Sequence, residues 1–159
     1  MSSNDKVCSL IFSLPAVLCV VTILAMMPNS AAAADFGARD EAKQLLERAV
    51  VVLKADKRRA LETFTSGDGG FVDRDLYVFC GGPDGMLTAH PYFLGLELKE
   101  FTDDTGKAVG KEMYAVAKEG EFAEITYKFA RPGGDEQLLD KIAFITKVDD
   151  QVCGVGYYE

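Results

Sequence analysis

The side chains best able to do chemistry in this chain of 159 residues are its one histidine, His90, two basic residues beside apolar strands, Arg131 and Lys141, and several tyrosines. They complete no catalytic arrangement. No serine, cysteine or threonine stands beside a base at a recognisable spacing, and the imidazole has no clear partner. Asp103 with Asp104 and Asp149 with Asp150 are paired acids, but neighbours in a turn point apart and seldom share a substrate. Asp68, Asp73 and Asp75 lack the spacing that wraps oxygens around calcium. His90 has no second metal ligand at a usable distance in sequence. The glycine pairs Gly69, Gly70 and Gly81, Gly82 lack the lysine and hydroxyl residue of a phosphate loop. The acids and glycines therefore read as turns and caps. The expectation is a protein that is not an enzyme and has no cofactor or metal.

What remains is recognition chemistry. The planar fork of Arg131 suits a carboxylate, and Lys141 begins a strand with apolar neighbours. The competing reading of each is a solvated charge at a strand end, the commoner fate of a lone basic residue. Pro91 biases His90 to an extended backbone. Among the tyrosines, Tyr127 alternates with Ile125 and Phe129, and Tyr77 shares a face with Phe79. A tyrosine at such a position is either core with a polar tip or a hydroxyl offered to a ligand.

The elements that must position these groups begin after residue 34. Residues 7–27 are almost wholly apolar, Lys6 precedes them, and a run of alanines ends at Ala34. This is the pattern of a secretory signal peptide cleaved before Asp35. The alternative is an uncleaved anchor, since about 20 apolar residues span a bilayer. Residues 35–159 then form one domain. The leader carries one charge of each sign, so the net charge of −8 stays with that domain. So acidic a surface excludes nucleic-acid binding, which needs basic contacts to phosphate. Cys80 and Cys153 remain after cleavage, and two cysteines in an exported domain favour a disulfide.

Apolar residues from Ala42 to Phe64 recur at three- and four-residue steps, which predicts one long helix over 35–66, capped by Asp35 and stopped by Gly67. Strands follow at 75–80 and 86–89, with a glycine-rich turn between them. Residues 90–101 form a loop with apolar beads. A second helix is expected over 107–119 with Val109, Met113, Val116 and Ala117 inward. Three alternating strands close the chain at 122–130, 138–148 and 152–158, the last two joined through Asp149 and Asp150. Strands of hairpin length imply an antiparallel sheet with helices packed to one side.

Several runs in this order resemble a known family. They are residues 71–79 with Tyr77; Ala89, His90 and Pro91; residues 103–107 with Asp103; Met113 and the run 117–120; and Tyr127 with Arg131 and Pro132. Lys141 with Ile142, and Gly154 to Tyr157, complete the set. The chain resembles a single Cache domain, an extracytoplasmic ligand-sensing module of PAS-like fold. The resemblance implies an α+β fold with a five-stranded antiparallel sheet, a long N-terminal helix along it and a second helix over it. It also implies a small-molecule pocket between the sheet and the loop-helix segment, taking a small organic anion such as a short carboxylate. Arg131 and Lys141 would neutralise the charge, Tyr127, His90 and Tyr77 would set orientation, and Phe93 and Met113 would limit size. In a PAS-like sheet the first and last strands are antiparallel neighbours, which would place Cys80 across from Cys153. With no second span or transmitter after Tyr158, signalling is expected to pass to a separate membrane receptor or kinase, and a homodimer through the N-terminal helix is plausible. The alternative is a structural or protein-interaction module whose pocket is filled by its own side chains.

Overall fold

The computed structural model describes residues 35–134 and 136–159. The apolar leader and its expected cleavage lie outside the described residues. Among these, no helix is long and apolar enough to cross a membrane.

Helix α1 (Arg39–Ala55) buries Ala42, Leu45, Leu46, Ala49 and Leu53, the stripe its periodicity requires. Its first turn starts later than expected, with the amide of Ala38 donating to Glu41 Oε2 at 2.7 Å. The long helix is also broken. Asp56 adopts an extended backbone (φ −153°, ψ 93°), and its side chain accepts from the amide of Arg59 at 3.1 Å. One short acidic side chain thus ends α1 and caps α2 (Lys57–Ser66). Gly67, at φ 78°, stops α2 in the left-handed conformation that glycine adopts most cheaply.

The strands are β1 (Val72–Asp73), β2 (Leu76–Gly81), β3 (Leu87–Ala89), β4 (Ala123–Ala130), β5 (Leu138–Val148) and β6 (Gln151–Tyr158). The sheet order is β1-β2-β6-β5-β4, with β3 pairing to the end of β2, and these strands pair with one another antiparallel. The two-residue β1 is additional to the five strands expected. Val148 pairs with Gln151 across the Asp149 and Asp150 turn, where Asp149 takes φ 54°.

Alternation divides the strands between two cores, one on each face of the sheet. Leu76, Val78 and Cys80 of β2 join Phe144 of β5 and Val155 of β6 beneath α1 and α2. Tyr77, Phe79, Ile125, Tyr127 and Ile145 face the other way, toward Val109 and Met113 of α3 (Val109–Val116). The helices are therefore split between the faces rather than packed to one side. With both faces covered, β2 and β6 are buried along their whole length. Helix α3 is shorter than expected. Its chain turns extended at Ala117, and the carbonyl of Lys118 accepts from Lys147 N and Thr146 Oγ1 of β5.

Cys80 and Cys153 pair directly across β2 and β6 and are joined in a disulfide. The bond crosslinks strands 73 residues apart in sequence.

Candidate ligand-binding cavity

A cavity of about 250 Å³ lies between the second face of the sheet and the segment that crosses it. Its floor comes from alternate residues of two strands, Tyr77 and Phe79 of β2 and Tyr127 and Phe129 of β4. Met113 of α3 and Leu98 and Phe101 of the loop cover it. The lining residues Phe93 and Leu96 are 43% and 58% exposed, which marks the loop side as the mouth. Glu97, also exposed, lies there too.

Asp103 anchors the covering segment to the floor. Its carboxylate accepts from the amides of Thr105 and Lys107, from the Thr105 hydroxyl, and from the amide of Lys128 on β4. These donors, the Thr105 hydroxyl first, hold its carboxyl down to about 2. The segment leading into α3 is thereby tied to the strand that carries Tyr127.

His90 follows β3 and is buried. Its Nδ1 accepts from the amides of Tyr92 and Phe93 at 3.0 and 3.1 Å, so the ring proton sits on Nε2. Burial, and then the charge of Lys141, bring its pKa down to about 4. The imidazole is a neutral donor at ordinary pH, and it shapes the turn that opens the loop. Tyr127 also lines the cavity, and among the described residues no group hydrogen-bonds its hydroxyl. Burial pushes the Tyr127 and Tyr77 phenols up, so both are donors rather than phenolates.

Lys141 is the least ordinary of these groups. Its side chain is 1% exposed, although it stands on β5 between Tyr127 of β4 and Tyr158 of β6. Room for it comes from Gly156, where a Cβ would fall 2.3 Å from the lysine Cε. Its Nζ donates to the Tyr77 hydroxyl at 2.7 Å and lies over the rings of Tyr77, Phe129 and Tyr158 at 4.3, 5.1 and 4.9 Å. Among the described residues no carboxylate forms an ion pair with it. Burial brings its pKa down to about 7, against a weaker opposing pull from Asp75. It does not itself line the cavity. Its hydrogen-bond acceptor, Tyr77, is a lining residue.

Arg131 is placed elsewhere. Its Nε donates to Asp75 Oδ2 at 2.9 Å, and the buried Asp75 also accepts from the amide of Gly37 at 2.7 Å. The guanidinium lies 3.7 Å from the centroid of Phe36 and 4.7 Å from that of Tyr158. This cluster ties the entry to α1 onto the end of β4, and Arg131 is not among the cavity-lining residues. The structure thus gathers Tyr77, His90 and Tyr127 at one cavity, with Lys141 behind them and Arg131 apart. Sequence reasoning missed Phe79, Phe101 and Phe129 as lining residues. The alternation that singled out Tyr77 and Tyr127 also places Phe79 and Phe129. Among the described residues, no three His, Cys, Asp or Glu side chains converge as a metal site.

Among solved structures, the chain is similar to a methyl-accepting chemotaxis protein from Vibrio parahaemolyticus, with 22% identity and a TM-score of 0.59 over 75% of this chain and 86% of that one. A periplasmic sensor domain of a chemotaxis protein is 21% identical, with a TM-score of 0.56 over 75% and 88% of the two chains. A Cache chemosensory domain, described in terms of carboxylic acid recognition, is 19% identical, with a TM-score of 0.55 over 73% and 84%. At these identities the likeness is one of fold. No curated protein matches the sequence. The model of the Single Cache domain 2 family matches residues 19–158, and the chain belongs to that family.

Proposed function

We propose that this is an extracytoplasmic ligand-sensing domain, without enzymatic activity, that takes up a small organic anion, a carboxylate, in the cavity under the loop. The observation that carries this reading is Lys141. A buried ammonium that pairs with no carboxylate among the described residues is costly, and it donates a hydrogen bond to a phenol on the cavity wall. An anion beside Tyr77 would offset that cost. The Tyr77 hydroxyl would accept from Lys141 and donate its own proton to the ligand, with His90 Nε2 and the Tyr127 hydroxyl as further donors. The carboxylic acid recognition attributed to one structural neighbour is consistent with this chemistry.

Occupancy would be read through α1, which packs on the opposite face of β2, β5 and β6, and passed to a membrane receptor or kinase. Export would use residues 1–34 as a cleaved leader. A thermal-shift screen of carboxylates tests the reading. A ligand at 100 times its Kd stabilises the folded state by about 2.7 kcal/mol. A screen in which no carboxylate raises Tm would overturn it.

A further inference from the structure

Resting on the carboxylate site proposed above, we infer that the cavity is shaped for a monocarboxylate with an aryl or similarly bulky apolar body, not for a two-carbon acid or a dicarboxylate. The first ground is size. The cavity holds about 250 Å³, whereas an apolar cavity of about 150 Å³ already takes a benzene ring. A two-carbon acid held at Tyr77 would leave most of that space without partner atoms, and its lining would forgo the contacts.

The second ground is the wall. Phe101 meets Tyr127 and Phe129 edge-on at 5.9 and 5.8 Å, and Phe93 meets Phe129 edge-on at 6.5 Å. An aromatic guest can join this lattice with the same edge-to-face geometry. Met113 above it adapts to an irregular shape.

The third ground is where the polarity lies. The donors of the lining are Tyr77, His90 and Tyr127, and among the described residues Lys141 is the one buried lysine or arginine, bonded to Tyr77. Away from these the side-chain lining is carbon and sulfur until Glu97 at the mouth. A second carboxylate would therefore be buried against apolar wall or placed beside a like charge, and both are unfavourable.

The test is isothermal titration of the disulfide-bonded protein with phenylacetate, acetate, succinate and the uncharged phenylacetamide. Phenylacetate should bind roughly tenfold or more tightly than each of the others. Met113→Phe should cost phenylacetate roughly tenfold more than it costs acetate. If this variant does not fold, the wild-type series decides alone. Acetate or succinate binding as tightly as phenylacetate would overturn the inference and leave the carboxylate site standing. Equal binding of phenylacetate and phenylacetamide, or no binding by any compound, would overturn both.

Discussion

The ammonium of Lys141 and the hydroxyl of Tyr77, 64 residues apart in sequence, stand 2.7 Å apart inside the sheet core. Only the tyrosine of the pair lines the cavity. A cation in this position is linked both to the ligand and to the stability of the domain, and each linkage gives an observable with a definite sign.

The first is the pH dependence of binding. Lys141 titrates near 7 in the unliganded protein, and a bound carboxylate raises that value by favouring the charged form. Affinity should then be nearly flat just below pH 7. Above it, affinity should fall by up to about tenfold per pH unit until the liganded pKa is reached. His90, near 4, stays neutral throughout this window. Titration calorimetry between pH 6 and 9 checks this, and affinity that rises with pH would count against it.

The second is a trade between stability and function. Lys141→Met should abolish carboxylate binding yet stabilise the unliganded domain at neutral pH by about 1–4 kcal/mol, because a buried unpaired charge gives way to an apolar chain of similar length. The wild type should itself gain stability from pH 7 toward 10, where the unfolded state holds the proton that folded Lys141 has released. The variant should lack that slope. Denaturant melts at pH 7 and 9 measure both.

Arg131 should behave in the opposite way. Arg131→Ala removes the partner of the buried Asp75 and should destabilise the fold by about 2–3 kcal/mol while ligand affinity stays within roughly twofold. A large loss of affinity with stability intact would instead put Arg131 at the ligand.

The disulfide is a matter of stability alone. Cys80 and Cys153 lie in the core beneath α1 and α2, across the sheet from the cavity. Replacing both with alanine should cost about 3–5 kcal/mol by releasing a long loop in the unfolded chain. Carboxylate affinity of the folded variant should be unchanged. A urea melt and one titration suffice.

Strand alternation made most of the fold legible. The expected strand over 138–148 coincides with β5, and the other four differ by one residue at one or both ends. The same alternation put Tyr77 and Tyr127 on a common face. The break at Asp56 was hidden because the helical period runs on across it, and only the capping hydrogen bond reveals the turn. The partner of Arg131 was hidden because Asp75 lies 56 residues away and looks locally like a turn residue. Lys141 was legible as a candidate, but not its burial. A lysine among apolar neighbours reads the same whether it snorkels to water or stays inside, and the space left by Gly156 decides which.

The most direct measurement is titration of a carboxylate and its neutral amide into the wild type and into Tyr77→Phe, which keeps the ring and removes the hydroxyl. If the hydroxyl conveys the charge of Lys141 to the cavity, the wild type should favour the carboxylate over the amide, and Tyr77→Phe should lose roughly tenfold or more for the carboxylate alone. Equal carboxylate affinity in the two folded proteins would contradict the account.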